Sequence, residues 1–101
     1  MDKDAFQAHH RYAVTLRDES GKQRPVNLYV LRCYEDFMIV RRTDREGLLL
    51  KLSYGDVEKI VKCTAVSEAQ QYLIPEAMLA KSAWSGRTQM QAYGSSPARG
   101  K

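Results

Sequence analysis

Apolar residues recur at every second position in two separate stretches, and this alternation is the strongest constraint the chain places on its own fold. Tyr12, Val14 and Leu16 alternate with Ala13, Thr15 and Arg17. Further on, Leu48, Leu50, Leu52 and Tyr54 share one parity, with Lys51 and Ser53 on the other. A period of two is that of a half-buried strand, because successive side chains leave opposite faces of the pleat. Between these stretches, 23-QRPVNLYVLRCY-34 and 37-FMIVRRTD-44 carry apolar residues at both parities, as strands packed on two sides do. The run 57-VEKIVKCTAV-66 supplies a fifth strand. Pro25 lies near the start of its segment, where a strand tolerates a missing donor.

Turn chemistry separates these runs. Gly21 within Asp18-Glu-Ser-Gly-Lys is free to adopt positive φ, 43-TDREG-47 is polar, and Gly55-Asp56 interrupts the fourth strand. Five short strands at this spacing predict a mostly β domain: a strongly bent, five-stranded antiparallel barrel of SH3-like or Sm-like type with short flanking helices, its strands in meander order. The barrel spans 12–66, after a lead-in or short helix over 1–11. Ser67 with Gln70 has the capping-box pattern, and Pro75 is placed to begin a further short helix, which gives a helical segment over 67–84. From Ser85, Gly, Ser, Gln and Pro dominate, and residues 85–101 read as a flexible basic tail. At 101 residues this is one domain with a single modest core.

The net charge of +4 is unevenly placed. All 12 acidic residues lie at or before Glu76 together with 12 of the 16 Lys and Arg, so the body is formally neutral and the surplus falls on Lys81, Arg87, Arg99 and Lys101. A basic, acid-free tail is of the kind that attracts polyanions such as RNA or an acidic protein; the competing expectation is a solvated tail kept soluble by a few charges. No apolar run is long enough to cross a bilayer, and the opening Met1-Asp-Lys-Asp lacks the basic-then-apolar order of a secretory signal, so a cytoplasmic location is expected.

Groups that could perform chemistry do not converge. Glu35 and Asp36 are adjacent in a turn and point apart, which argues against an acid/base pair. Cys33 and Cys63 have no CxxC context, and the neighbouring His9 and His10 diverge on any regular element, so neither a metal site nor a cofactor is expected. No nucleophile elbow or phosphate-cradling Gly-rich run is present, and the chain reads as a non-enzyme. Binding has more material. Arg41 and Arg42, with Arg45 in the following loop, form a basic cluster, while Tyr34, Phe37 and Tyr54 are aromatics at strand ends. Aromatics that stack on bases beside cations that meet phosphates are the ingredients of single-strand recognition, although strand aromatics equally fill cores.

Two stretches resemble motifs of the Sm-like family, with its bacterial Hfq-like branch. The stretch 34-YEDFMIV-40 resembles the first motif, with Tyr34 at its aromatic position, Glu35 in place of Asp and Phe37 at the base-stacking place. In 52-LSYGDVEKIV-61, Tyr54 is similar to the Tyr of bacterial members and Gly55-Asp56 to the Gly-Asp step of the other branches. The resemblance covers about residues 12 to 66. It implies an RNA-binding or RNA-chaperone-like protein acting as a homo-oligomeric ring, built by pairing strand 48–54 of one subunit with strand 57–63 of the next. Phe37 would stack on a base, Tyr34 and Tyr54 would shape the pocket, Asp36 and Asp56 would accept base hydrogen bonds, and Arg41, Arg42 and the tail would meet phosphates of single-stranded RNA. Acidic groups repeated around such a pore would oppose a phosphate backbone. The competing expectation is a protein-interaction module or structural ring of the same small-barrel fold with no nucleic-acid role.

Overall fold

The computed structural model describes residues 2–43, 48–71 and 74–91. Six strands dominate it: β1 (His10–Arg17), β2 (Gln23–Cys33), β3 (Met38–Arg42), β4 (Leu48–Leu52), β5 (Val57–Ala65) and β6 (Gln89–Gln91). They form one antiparallel sheet in the order β5-β1-β2-β3-β4-β6. The first four strands run as a meander. No helix among the described residues is long and apolar enough to cross a membrane.

Local chemistry explains the first hairpin. Asp18 accepts hydrogen bonds at Oδ1 from the Ser20 hydroxyl (2.7 Å), the Lys22 amide (2.9 Å) and the Ser20 amide (3.0 Å). Gly21 takes the positive φ of 86° that the turn requires. Those bonds, the Ser20 hydroxyl foremost, hold the Asp18 carboxyl below its ordinary range. Pro25 pairs with Thr15 on β1, while β3 joins β2 only from Leu28 onward, so the missing N–H falls where β2 lacks its second neighbour.

Beyond that point β2 is buried on both faces: Leu28, Tyr29, Val30 and Leu31 are all nearly inaccessible. A register shift between Val30 and Arg32 bends the strand there. The two faces carry two cores. Tyr12, Val14, Leu28, Val30, Met38, Val40, Tyr54 and Val57 form the first, and Phe6 closes it from the N-terminal segment with its ring centroid 5.0 Å from that of Tyr12. The second gathers Tyr29, Leu31, Phe37, Ile39 and Leu49 beneath Leu79 and Trp84 of the C-terminal segment. That segment consists of a 3-10 turn at Glu68–Gln70, the single-turn helix α1 (Glu76–Leu79), a 3-10 turn at Lys81–Trp84, and β6. Ser67 precedes the first of these turns but makes no side-chain cap.

Three features differ from the sequence expectation. Among the described residues the sheet is open rather than a closed five-stranded barrel: β5 is one edge, its outer side carrying no strand, and β6 is the other. Two register shifts between β1 and β5 bend that edge without bringing it onto β4. Second, the expected flexible tail includes β6, which pairs Gln89, Met90 and Gln91 with Leu50, Leu49 and Leu48. Backbone pairing makes few demands on side chains, so a polar run can serve once Trp84 has anchored the chain nearby. The edge of β4 that a ring would need is therefore taken by β6. Third, Leu49 is fully buried in the second core, so β4 contributes to both faces and is not one-sided.

Candidate nucleic-acid interface

The corner between β2 and β3 is a tight reversal in which the Tyr34 amide donates to the Phe37 carbonyl (2.8 Å). Glu35 and Asp36 occupy its exposed tip, and each meets a lysine from elsewhere in the chain. Lys3 Nζ donates to Glu35 Oε1 at 2.7 Å, which holds the Glu35 carboxyl below its ordinary range. Lys81 Nζ lies 3.7 Å from Asp36 Oδ1. Tyr54 clips the corner from inside: its hydroxyl directs its proton at the Tyr34 carbonyl (2.6 Å) with the Phe37 carbonyl at 3.0 Å. Burial pushes the Tyr54 hydroxyl well above the usual phenol range, so it is a donor at any ordinary pH.

Phe37 is only 4% exposed and packs with the second core, its centroid 5.2 Å from that of Tyr34. Lys51 reaches from β4 over the Phe37 ring, with Nζ 4.8 Å from the centroid, and donates to the Trp84 carbonyl at 3.2 Å. The Tyr34 hydroxyl donates to the Leu79 carbonyl (2.6 Å), and Trp84 Nε1 donates to the Met78 carbonyl (2.8 Å). The C-terminal segment is thus tied to the corner by polar bonds as well as by apolar contact. Where they meet lies an open groove of about 560 Å³ lined by Asp36, Phe37, Lys51, Lys81, Ser82 and Ser85 among others.

The expected site residues separate into three groups. Tyr34, Asp36, Phe37 and Tyr54 come together at the corner, with Tyr54 as internal support rather than a groove wall. Arg41 and Arg42 lie at the opposite end of β3, paired in register with Tyr29 and Leu28. Arg41 is 6% exposed, so the expectation that it meets phosphate from the surface is corrected: its parity places it on the face that carries Ile39 and Leu49. Arg42 is half-buried, and Arg45 lies outside the described residues. Asp56 is the exposed last residue of the 3-10 turn Tyr54–Asp56 and does not line the groove. Phe37 is corrected as well, because a ring this buried is a groove floor and not a freely presented stacking platform.

Lys51, Lys81 and Ser82 escape a sequence reading. Lys51 reads as the solvent face of an amphipathic strand, and Lys81 as part of a diffuse basic surplus; nothing local signals that the chain returns to bring them together. The assembled groups, two ammoniums and two hydroxyls over an aromatic floor with the Asp36 carboxylate beside Lys81, leave Lys51 as the ammonium best placed for an anion attached to a flat apolar group. No cluster of three or more His, Cys, Asp or Glu able to hold a metal occurs among the described residues. No family model matches the chain, and neither the curated proteins nor the solved structures contain a match.

Proposed function

We propose that the chain is a single-stranded RNA-binding module of Sm-like kind, in which the corner groove is the nucleic-acid site. The carrying observation is the Lys51 ammonium 4.8 Å over the Phe37 ring, in the groove that Lys81 also lines and at the sequence stretch that resembles the Sm base-binding motif. Lys51 and Lys81 meet phosphates, and Ser82 and Ser85 donate to phosphate or ribose oxygens. Lys51 swings from over the Phe37 ring to the phosphate, which uncovers part of the groove floor for contact with a base. Asp36 competes with phosphate for Lys81 and keeps a single site weak. Assembly into a homo-oligomeric ring would multiply such sites and raise the avidity; it requires β6 to leave the β4 edge so that β5 of a neighbour can pair there.

The test is fluorescence anisotropy with a labelled single-stranded oligouridylate at two salt concentrations. Binding should weaken with salt, and Lys51→Ala with Lys81→Ala should each lower the log–log slope by about 0.7, the contribution of one phosphate on a single strand. Absence of binding at low salt, or a slope unmoved by either variant, rejects the reading.

A second reading is favoured by β5. Among the described residues this nine-residue edge strand has no strand on its outer side, and Val61 upon it is 65% exposed. An extended peptide adding to that edge would make the chain a protein-interaction module.

A further inference from the structure

A second cavity, of about 480 Å³, lies where the end of β2 meets the segment leading into α1. Its apolar lining includes Leu31 and Leu79, both buried, and the half-buried Ile74. Its polar lining includes His9, Arg32 and Glu76. The volume falls within the roughly 300–1,000 Å³ of small-molecule sites, and an apolar wall with a few convergent polar groups is their usual make-up.

Each polar group is placed by a specific contact. Arg32 Nη2 donates to Glu76 Oε2 at 2.6 Å, so a carboxylate already sits on this guanidinium. The Glu76 side chain is 74% exposed, and it comes from a helix of one turn. A solvent-exposed pair of this kind is weakly held and exchanges readily with another anion. His9 is the one non-glycine among the described residues with positive φ, 61°. Its amide donates to the Val30 carbonyl (2.7 Å) and its carbonyl accepts from the Val66 amide (3.1 Å), which fixes the backbone on both sides. A glycine would take this conformation at lower cost. Nδ1 lies 2.7 Å from the hydroxyl of the buried Tyr29; in the tautomer that accepts from this hydroxyl, the ring proton is on Nε2.

We infer that this cavity binds an apolar monocarboxylate. The ligand carboxylate takes the place of Glu76 on Arg32, its hydrocarbon lies against Leu31, Ile74 and Leu79, and His9 supplies a second donor. Glu76 acts as a built-in competitor that fills the guanidinium fork when the ligand is away. The same chemistry is presented by a free aryl or alkyl acid and by the C-terminal residue of a peptide ending in an apolar side chain.

The test is an amide-shift titration of the full chain with two probes, 4-phenylbutyrate for the free acid and N-acetyl-leucine for a peptide terminus, with 4-phenylbutyramide as the uncharged control. Saturable shifts at His9, Leu31 and Leu79, on the order of millimolar for a ligand this small, are expected with one or both acids and not with the amide. Saturation by phenylbutyrate alone identifies a free acid, and saturation by N-acetyl-leucine identifies a peptide terminus. Glu76→Gln removes the competitor and should tighten binding about 3- to 10-fold, while Arg32→Gln should abolish saturation in a chain whose spectrum remains folded. Equal affinity of wild type and Glu76→Gln, equal binding of acid and amide, or no saturation by either acid overturns the assignment. RNA binding at the corner groove is read separately, so either reading can fail alone.

Discussion

The two faces of the sheet are buried by different means. The first is closed by the strands themselves, with Phe6 arriving from a few residues upstream, Tyr54 from the link between β4 and β5, and Val57 from the start of β5. The second is closed by a strap, residues 74–91, whose Leu79 and Trp84 lie over Tyr29, Leu31, Phe37, Ile39 and Leu49. A core built from the sheet's own strands cannot open without loss of the sheet. One built from a terminal segment can open while the sheet persists, and such segments belong to the low-stability end of a fold. Both cavities, and every groove residue singled out above, lie along the strap or beneath it.

That contrast is open to direct attack, beginning with the largest effect. Leu28→Ala, in the first core, should lower global stability by about 2–5 kcal/mol with a single cooperative denaturation transition. Trp84→Ala removes a larger and fully buried side chain, for which the usual cost is about 3–5 kcal/mol. Its global effect should nevertheless be smaller than that of Leu28→Ala, because the loss is capped by the docking energy of the strap. Hydrogen exchange should show the difference: in Trp84→Ala, protection falls in β4 and β6 while the β1–β2 ladder retains its own. Equal loss of protection throughout would mean that the two faces open as one.

Deletion of residues 88–101 should have an intermediate effect. It removes β6 and exposes the outer edge of β4, with its Leu48, Leu49 and Leu50. Native mass spectrometry should show higher oligomers for the shortened chain than for the intact one; if both are monomeric, occupancy by β6 is not what prevents pairing through β4. The smallest effect belongs to Tyr54→Phe. Loss of the hydroxyl leaves the Tyr34 and Phe37 carbonyls without that donor and should cost about 0.5–1.5 kcal/mol by chemical denaturation. The corner should loosen without detachment of the strap, so the signal of Trp84 stays native.

The strands were legible because their signal is local. Alternation at Tyr12, Val14 and Leu16 and two-sided apolar character over Leu28–Leu31 each specify how a segment is buried, whatever lies opposite. Asp18 and Gly21 announce their turn in the same way. What the residues could not reveal depends on encounters at long range. Gln89-Met90-Gln91 becomes a strand through pairing with β4, with Met90 packed against the second core, and one apolar residue between two polar ones is too short an alternation to announce it. Phe37 reads alike whether exposed or covered; its burial is decided by Trp84 and Lys51, one far along the chain and the other on a parity that reads as solvent-facing. The burial of Arg41 is hidden for a related reason, since arginine after an apolar run usually marks a solvated strand end. In this sheet, β3 continues between its partners through Arg41.

Strand β1 is the first made and yet takes an interior place, between β2 and β5. Its register with β2, from Arg17↔Gln23 onward, spans only a short turn in the chain. Its other side must wait until Val57–Ala65 has been synthesised, since only then does the register from His10↔Ala65 to Leu16↔Val57 have a partner. Throughout that interval Tyr12 and Val14 belong to an unfinished surface on a nascent chain.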